Sequence, residues 1–429
     1  MQYDKIGNHL RLSQYGISIE MNTDGIGYPI YRMNEMHNML CDIDVDKYAD
    51  IPEDDYAHFA LKQGDVLFNR TNSFEWVGRT GVYYPVNNNE ERTFASYLVR
   101  FNPTQETILP EYLCAFLNSR YGVWDIKRRA RQSINQTNVN PEEVKEIDIP
   151  LLRMDIQLKI QEHFKSANVL RLQSILAYDK AEQHLNQLLG IDSLTPTNEA
   201  ITEKKYTDFI GSTRLDAEYY QPKYDELTNL VKSHQSGYDK LKTLFLIKDR
   251  NYIPESDCLY KYIELSNIGS DGSITGYTKA LGEDLPSRAR RIVRSGDLIV
   301  SSLEGSLNSC AIIPEKYDGA ICSTGFYVLT PKDINVETAL VLFKSQLMQA
   351  LMTRVCSGSI MAGMNTDEFA NLIVPKIDQR TQRTIAEIIQ DCAKKRDDSI
   401  SLLELAKTAV EIAIEQGEDK AMELLTQYK

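Results

Sequence analysis

The sequence lacks the features that would indicate a membrane-spanning or secreted protein. It contains no run of 18 apolar residues, so no transmembrane helix is predicted. Residues 1–6 contain no basic segment followed by an apolar core, so no signal peptide is predicted. The seven cysteines form no Cys-x-x-Cys pair, and the six histidines have no metal-ligand spacing. We therefore expect a cytoplasmic protein with reduced thiols and no bound metal.

The sequence also lacks the motifs of a catalyst. It contains no Gly-x-x-x-x-Gly-Lys-Ser/Thr phosphate loop, no dinucleotide-binding glycine motif and no Asn-Pro-Pro-Tyr loop of the kind that amino-methyltransferases use. Residues 142–145 (Glu-Glu-Val-Lys) resemble half of a metal-dependent nuclease site, but the corresponding residues 366–369 (Thr-Asp-Glu-Phe) have no lysine. A nuclease built on Glu143 and Lys145 would cleave DNA as the isolated chain when a metal ion is present. The missing motifs favour a non-catalytic recognition or scaffold protein without a cofactor.

What the sequence does contain is one architecture that occurs twice. Three short motifs recur in the same order, with offsets of 235, 232 and 225 residues. They are Tyr-Asp-Lys at 3–5 and 238–240, Gly-Asp at 64–65 and 296–297, and an asparagine at 140 and 365 that precedes an apolar-Pro dipeptide. Offsets of this length exceed the 20–50 residues of a stacked repeat, so they indicate a duplicated domain.

The pattern of strands and helices predicts the fold class. Each copy mixes short strand-like runs with turn residues and helical segments, and each is followed by a long helical pattern. In the first copy residues 82–84 are predicted as a strand, and helices are predicted at residues 110–118 and near residues 123–131. We predict an α+β fold with two similar globular domains separated by two long antiparallel α-helices, duplicated with pseudo-two-fold symmetry. The predicted regions are residues 1–150 (first globular domain), 151–236 (first helical region and linker), 237–375 (second globular domain) and 376–429 (second helical region).

The two long helices are predicted from their apolar periodicity. One amphipathic helix runs from about residue 153 to residue 190, so it is roughly 50 Å long, and the second starts near residue 378. Apolar residues match between the two helices at a constant offset of 225. The matching pairs are Ile160 with Ile385, Phe164 with Ile389, Ala167 with Cys392 and Ile175 with Ile400. This match favours packing of the helices on each other, and the alternative is that each packs only on its own domain.

The charge distribution permits DNA binding despite a formal net charge of −13. Seven of the acidic residues lie between residues 42 and 55, whereas basic residues cluster elsewhere. The clusters are Arg120, Lys127, Arg128, Arg129 and Arg131 in the first copy and Arg288, Arg290, Arg291 and Arg294 in the second. Because phosphate attraction acts over about 8–10 Å, local clusters matter more than the total charge.

Several motifs resemble those of one family. Residues 64–70 (Gly-Asp-Val-Leu-Phe-Asn-Arg), which lead into residues 77–83, resemble the central signature of target-recognition domains. Residues 135–140 (Asn-Gln-Thr-Asn-Val-Asn), followed by residues 146–151 and Gln157, also resemble the signature of these domains. Together with Leu-Asp-Ala-Glu-Tyr-Tyr at 215–220, these motifs are typical of specificity (S) subunits of type I restriction–modification systems.

The resemblance covers nearly the whole chain, in the right order and twice. One departure is that the chain begins almost directly at the first recognition domain. Residues 411–429 are candidates for completing the helical structure in place of a preceding helix.

The resemblance implies a division of labour. Each globular domain would recognise a short half-site in double-stranded DNA, and the helices would fix the unread spacer between the half-sites. Two methyltransferase (modification) subunits would dock on the helices, bind S-adenosylmethionine and flip the target adenine, and a motor and nuclease restriction subunit would supply cleavage. Alternatives are a type IIB-like system, a methyltransferase-only system, and a duplicated scaffold that binds only proteins.

Comparison of the two copies predicts the DNA-contacting residues. Polar residues that differ at equivalent positions should recognise different bases, and basic residues beside them should hold phosphates. In the first copy the candidates are Arg32, Asn34, Asn69, Arg70, Thr71, Asn72, Arg79, Lys127, Arg128, Arg129, Arg131, Gln132 and Asn135. In the second copy they are Glu264, Ser266, Arg288, Arg290, Arg291, Ser301, Ser302, Glu304, Ser357 and Ser359. Gly64 and Asp65, with Gly296 and Asp297, are instead expected to form a structural turn.

Overall fold

A computed structural model describes residues 1–87, 89–134, 136–193, 197, 201–210, 214–269, 271–358 and 362–427. The chain forms two compact units. The first unit is Met1–Gln173 together with Lys395–Lys429, and the second is Ser174–Lys394. Both units contain strands and helices, so the predicted α+β class is confirmed.

The first unit contains short strands and helices from both ends of the chain. Its strands are Tyr3–Lys5, Leu10–Tyr15, Tyr28–Tyr31, Met36–His37, Leu40–Cys41, Tyr48–Ala49, Val66–Asn69, Thr71–Asn72, Thr80–Val82, Thr93–Phe94, Leu98–Pro103, Arg131–Gln132, Thr137–Asn138 and Asp148–Pro150. Its complete α-helices are Glu53–Phe59, Pro110–Asn118, Arg120–Arg129, Pro141–Lys145 and Glu418–Gln427. It also contains the first part of the long helix Met154–Leu189 and the last part of the long helix Gln379–Gln416.

The second unit contains the remaining parts of both long helices. Its strands are Tyr238–Lys240, Phe245–Lys248, Leu259–Ile263, Thr278–Leu281, Ala289–Ile292, Leu298–Ser301, Cys310–Ile312, Ile321–Ser323, Phe326–Pro331, Cys356–Ser357, Gly363–Met364 and Ile373–Pro375. Its complete α-helices are Tyr206–Phe209, Pro222–Ser233, Leu241–Leu244, Val336–Lys344, Gln346–Val355 and Thr366–Asn371.

The sequence repeat corresponds to a repeated strand pairing. In the first unit Tyr3–Lys5 runs antiparallel to Asp148–Pro150, with Tyr3 opposite Pro150. In the second unit Tyr238 lies opposite Pro375 in the same arrangement. The Tyr-Asp-Lys motif and the apolar-Pro motif are therefore strand partners, which explains why both recur.

The main sheet of each unit has the same strand order over four strands. In the first unit the order is Leu10–Tyr15, Leu98–Pro103, Val66–Asn69 and Thr80–Val82, followed by Leu40–Cys41 and Met36–His37. In the second unit it is Phe245–Lys248, Phe326–Pro331, Leu298–Ser301 and Cys310–Ile312. Buried apolar side chains of these strands and of the adjacent helices form the core of each unit.

The Gly-Asp turn before the third strand of this order is structural, as predicted. Gly64 and Gly296 have φ angles of +87° and +83°, which favour glycine because it lacks a Cβ atom. The Asp65 carboxylate accepts the Lys62 backbone N–H at 2.9 Å, and Asp297 accepts the Arg294 N–H at 2.8 Å. Each aspartate thereby closes its own turn.

The long helices pack together inside each unit. In the first unit the Ser399 hydroxyl donates to the Ala167 carbonyl at 2.7 Å. In the second unit the Ser174 hydroxyl donates to the Cys392 carbonyl at 3.0 Å. These contacts involve positions related by the offset of 225, so the prediction that the helices contact each other is confirmed.

The apolar positions on these helices enter two separate cores. Ile160, Phe164 and Ala167 are buried in the core of the first unit, which also contains Leu403 and Ala406. The matching residues Ile385, Ile389 and Cys392 are buried in the core of the second unit. Ile160 and Ile385 therefore occupy equivalent places, each in the core of its own unit.

A buried glutamine joins each long helix to its globular part. The Gln157 amide accepts the Leu109 N–H at 2.9 Å and donates to the Thr107 and Leu152 carbonyls at 3.1 and 2.8 Å. Gln382 makes the same set of contacts with Asn335, Asp333 and Ile377, at 2.8, 3.3 and 2.8 Å. The two units therefore share this polar junction as well as the sheet.

The C-terminal helix completes the core of the first unit. Ala421 and Leu425 of the helix Glu418–Gln427 are fully buried there. The His163 ring contacts the Leu425 carbonyl at 3.0 Å, and the Arg153 guanidinium donates to Asp419 at 2.9 Å. Within the described residues, no helix is both long and apolar enough to cross a membrane.

Candidate nucleic-acid interface

The first unit brings several predicted DNA-contacting residues into one small sheet. Strand Thr71–Asn72 pairs with Thr137–Asn138, which pairs in turn with Arg131–Gln132. Asn72 and Gln132 both lie opposite Thr137. Residues that are about 60 positions apart in the sequence thus share one surface, which we call the first candidate surface.

The turn that contains Arg32 and Asn34 adjoins this region. The Asn69 side-chain amide donates to the Met33 carbonyl at 3.1 Å, which ties the turn to strand Val66–Asn69. Asn34 is exposed in this turn. The Arg32 guanidinium donates to the buried Glu35 carboxylate at 3.0 Å, so it would have to exchange this partner to reach DNA.

The second unit brings the corresponding residues together around a hairpin. Strand Cys356–Ser357 pairs with Gly363–Met364, and Gly363 forms a bridge to Leu303. The Met364 N–H donates to the Ser302 carbonyl at 2.8 Å, and the Glu304 N–H donates to Ala362 at 3.0 Å. Ser302, Glu304 and Ser357 therefore lie around this hairpin, which we call the second candidate surface.

An ion pair lies close to the second candidate surface. The Arg288 guanidinium donates to the Glu264 carboxylate at 2.8 Å and to the Tyr262 hydroxyl at 3.1 Å. The Arg288 carbonyl accepts the Thr324 N–H, and the neighbouring Gly325 carbonyl accepts the Ser302 N–H. Ser266 is exposed in the 3-10 turn Leu265–Asn267.

Three candidates have a structural role instead of the predicted contact with bases. Asn69 and Ser301 have no exposed surface, and their side-chain oxygens accept the N–H of Thr71 and Leu303, two residues further on. Such side-chain turns are typical of Asn and Ser. Thr71 is also buried, and its hydroxyl donates to Asn138 at 2.6 Å. These three side chains are not accessible to DNA in this structure.

Arg70 and Ser302 occupy equivalent positions, and both side chains make contacts within the protein. The Arg70 guanidinium carbon lies 5.1 Å from the centre of the Tyr15 ring, and the same group donates to the Ser96 carbonyl at 3.4 Å. The Ser302 hydroxyl donates to the Gly325 carbonyl at 3.0 Å. Both side chains are half-buried, so a contact with DNA would require them to turn outward.

The predicted basic cluster of the first unit is largely neutralised. Arg128 donates to Asp125 at 2.6 Å, Arg129 shares the same carboxylate, and Arg131 donates to Glu143 at 2.6 Å. Arg128 and Arg131 nevertheless keep 69% and 75% of their side chains exposed. In the predicted cluster these two side chains are more exposed than that of Arg120, which is 58% exposed and pairs with Glu411 and Glu415.

The Lys127 ammonium group is already occupied by backbone contacts. Its ammonium group donates to the backbone carbonyls of Phe74, Glu75 and Val77, the last two at 3.0 and 2.8 Å. Burial lowers the pKa of this lysine from its ordinary value. Lys127 thus fixes the loop of residues 73–78.

The arginines of the second unit do not form one cluster. Arg290 donates to the Ser287 carbonyl at 3.0 Å, and Arg291 donates to the Asn251 side chain at 3.0 Å and to the Asp249 carbonyl. Arg294 pairs with Asp318 at 3.3 Å. Of this group, Arg288 alone adjoins the second candidate surface in the part of the chain that is described.

The sequence interpretation did not identify the aromatic residues of the loop 73–78. Phe74 and Trp76 are 46% and 45% exposed. The Arg79 guanidinium carbon lies 3.8 Å from the centre of the Trp76 ring, and burial lowers the pKa of Arg79. The signal in the sequence is a Phe-x-Trp segment next to predicted DNA-contacting residues. Soluble proteins rarely expose two neighbouring aromatic rings.

Two predicted residues, Asn135 and Ser359, lie outside the described residues. Among the residues that are described, no group of His, Cys, Asp or Glu side chains could hold a metal ion. Glu143, part of the alternative nuclease reading, pairs with Arg131, and Lys145 pairs with Glu142 at 2.7 Å.

Comparison with known proteins identifies the class of the second domain. Residues 237–401 match the family described as type I restriction modification DNA specificity domain. This region of the chain is therefore similar to a DNA specificity domain, and the resemblance to specificity subunits of type I systems is confirmed.

Two relatives and two solved structures have the same designation. A Methanocaldococcus jannaschii protein named as the MjaX type I restriction enzyme specificity subunit is 30% identical over 152 residues, 35% of each chain. The EcoKI specificity subunit of Escherichia coli K12 is 25% identical over 183 residues, 42% of this chain and 37% of that protein. The aligned part thus spans little more than a third of each relative.

The solved structures are more distant. A type I S subunit from M. genitalium has a TM-score of 0.43 at 12% identity and covers 99% of this chain and 95% of that one. The HsdS subunit from Thermoanaerobacter tengcongensis has a TM-score of 0.31 at 11% identity, with 97% of both chains covered.

Proposed function

We propose that this chain is the DNA-sequence specificity subunit of a type I restriction–modification assembly and recognises a bipartite, asymmetric site in double-stranded DNA. The observation that carries the proposal is a shared scaffold with different exposed polar groups. Gln157 and Gln382 make the same contacts in the two units. At the equivalent surface positions, however, the first unit has Asn72 and the second has Glu304.

The exposed or half-exposed polar residues of the two surfaces are the base-recognising groups of this proposal. Asparagine and glutamine pair with adenine through two hydrogen bonds, whereas a glutamate accepts from the amino group of cytosine. The first unit supplies Asn34, Asn72 and Gln132, and the second supplies Ser266, Glu304 and Ser357. Different chemistry on the two surfaces supports recognition of two different half-sites.

Basic residues beside these groups would hold the DNA backbone. Arg128 and Arg131 have largely exposed side chains in the first unit, and Arg288 is 58% exposed in the second. Each pairs with a carboxylate at 2.6–2.8 Å, which a phosphate would replace on binding. Backbone contacts of this kind position a domain without sequence preference.

The chemistry of the system would lie in partner subunits. Two methyltransferase subunits would supply S-adenosylmethionine and methylate adenine, and a motor and nuclease subunit would cleave DNA. A type IIB-like or methyltransferase-only assembly would use this chain in the same way. A protein-only scaffold would not bind DNA at all.

Salt-dependent binding tests this proposal. The full chain in complex with its methyltransferase subunits is titrated with a randomised duplex pool at several salt concentrations. We expect the logarithm of the binding constant to fall linearly with the logarithm of salt concentration, with a slope about 2 units shallower for Arg128→Ala/Arg131→Ala. Lys316→Ala, outside the candidate surfaces, is the matched control. Absence of duplex binding by the wild-type complex would favour the protein-only scaffold.

A further inference from the structure

The loop of residues 73–78 is held rigidly in the first unit. The Val77 N–H donates to the Ser73 carbonyl at 2.9 Å, and the Gly78 N–H donates to the Asn69 carbonyl at 2.8 Å. Val77 is buried in the core, and Lys127 holds three carbonyls of the loop. The backbone hydrogen bonds, the Lys127 contacts and the burial of Val77 therefore hold the loop in one conformation without a partner.

This rigid loop presents two aromatic rings to solvent. Phe74 and Trp76 are nearly half exposed, whereas the neighbouring Val77 is buried and only 2% exposed. Exposed tryptophan costs hydration free energy and is enriched where a protein meets a partner. The chain has two tryptophans in total, and both Trp76 and Trp124 are exposed, the latter by 79%.

The surroundings of the two rings favour nucleic acid as the partner. The Arg79 guanidinium stacks on Trp76, and the Lys127 ammonium lies 5.1 Å from the Phe74 ring centre. The loop directly follows strand Thr71–Asn72, which belongs to the first candidate surface. The exposed Glu75 between the rings would repel phosphates, so the loop fits against bases in a groove better than against the backbone.

The corresponding loop of the second unit has no such rings. It contains Gly305, Ser306, Leu307 and Asn308, and Leu307 is buried like Val77. The buried apolar residue of the loop therefore occurs in both units, whereas the aromatic residues occur only in the first. The second unit has the same four-strand order without aromatic residues in this loop.

We propose that Phe74 and Trp76 form an aromatic wedge that enters a groove of the DNA and stacks on a base step within or next to the half-site of the first unit. This proposal rests on the proposed function and adds recognition through DNA deformation to it. Wedging is cheapest at pyrimidine–purine steps, because these unstack most readily. The first half-site or its flank should therefore contain such a step, whereas the second half-site has no such requirement.

The two tryptophans allow a direct test in the full chain. Trp124→Phe leaves Trp76 as the sole tryptophan, and Trp76→Phe leaves Trp124 as a matched control. Each variant is mixed at low salt with duplexes selected from a random pool, and binding is followed separately by the anisotropy of a label on the DNA. We expect Trp76 fluorescence to be quenched and shielded from iodide on binding to a greater extent than the fluorescence of Trp124, which lies one helical turn from Arg128.

A second pair of variants tests the energetic contribution. Trp76→Ala should weaken duplex binding about five- to hundred-fold, the range for the loss of one base–aromatic stack, whereas Trp76→Phe should bind like the wild type. Unchanged Trp76 fluorescence on DNA that is demonstrably bound would overturn the wedge and leave the proposed function intact. If the methyltransferase subunits shielded Trp76 from iodide and DNA did not, the loop would be a protein-docking site. This result would also overturn the wedge. If no duplex binds the wild-type chain or its complex, the proposed function fails, and the wedge with it.

Discussion

Buried polar side chains are the residues that most clearly relate the two units. Gln157 and Gln382 each hold three backbone groups, and Asn69 and Ser301 each hold the N–H two residues further on. The family resemblance included Gln157, whereas comparison of the two copies predicted base contacts for Asn69 and Ser301. Composition and spacing cannot separate a polar residue that closes a turn from one that faces DNA, because both favour Asn and Ser.

The glutamine junction leads to a prediction for stability. Gln157→Leu keeps the approximate size of the side chain but removes the buried partner of the Leu109 N–H and of the Leu152 carbonyl. We expect the free energy of unfolding to fall by about 1–3 kcal/mol, measured by urea denaturation. Gln173→Leu, at an exposed position of the same helix, is the control and should change stability by less than about 0.5 kcal/mol. Equal effects of the two substitutions would contradict the junction.

His163 predicts a dependence of stability on pH. Burial lowers the pKa of His163 below its usual 6.5, and Lys159 lowers it further, whereas the contact with the Leu425 carbonyl and the nearby Glu162 raise it. The unfolded chain therefore takes up a proton near pH 6.5, while the folded chain takes it up only at lower pH. Stability should be unaffected by this group above about pH 7 and should decrease as the pH falls below about 6.5.

The measurement is the free energy of unfolding of the wild type and of His163→Gln between pH 8 and pH 5.5. Glutamine can still donate to the Leu425 carbonyl but does not titrate. The difference between the two proteins should stay constant at high pH and shift in favour of the variant below about pH 6.5. A difference that is the same at every pH would show that His163 is not the titrating group.

At the scale of elements, the first long helix was predicted more accurately than a short strand. The predicted helix Pro110–Asn118 is found with these bounds, and the first long helix is Met154–Leu189 against a predicted 153–190. By contrast, the run 82–84 was interpreted as a strand, whereas the strand is Thr80–Val82. Helix periodicity is set locally over many residues, whereas short strands depend on distant partners that the sequence does not specify.

The start of the helix after Pro110–Asn118 shows which local signal was missed. A helix was expected near residues 123–131 and is found at Arg120–Arg129. The Ser119 hydroxyl accepts the Gly122 N–H at 3.3 Å and caps this helix. A serine before a helical run is a start signal, so this boundary could have been predicted from the sequence.

Packing of the long helix leads to a prediction at this scale. Ile160 is fully buried in the core of the first unit, whereas Leu158 on the same helix is 51% exposed. Ile160→Asp should destabilise the protein by roughly 3 kcal/mol or more, because it places an unpaired charge in an apolar core. Leu158→Asp introduces the same charge at the surface and should have little effect. Similar thermal unfolding curves for the two variants would show that Ile160 is not a core residue.

At the scale of the whole molecule, the sequence predicted the family and the duplication but only part of the site. Residues 71–72 and 131–132 were predicted separately, and the structure joins them through Thr137–Asn138. The predicted basic clusters are reduced by ion pairs with Asp125, Glu143 and Asp318, which a linear sequence does not reveal. The resemblance identified the scaffold because motifs are local, whereas accessibility depends on contacts between distant residues.

The central claim is that each unit recognises its own half of one DNA site. We would select duplexes from a randomised library with the complex of the full chain and its methyltransferase subunits. The wild type is compared with Asn72→Ala/Gln132→Ala in the first unit and Glu304→Ala/Ser357→Ala in the second. The selected sequences are determined for all three proteins.

We predict that the wild type selects two short, different half-sites around a fixed, unread spacer. Each double variant should relax the sequence of one half-site only, with a loss of about 1–3 kcal/mol per lost bidentate contact, and should leave the other half-site and the spacer unchanged. The account would be contradicted if both variants weakened binding equally for all sequences, or if either variant altered both half-sites.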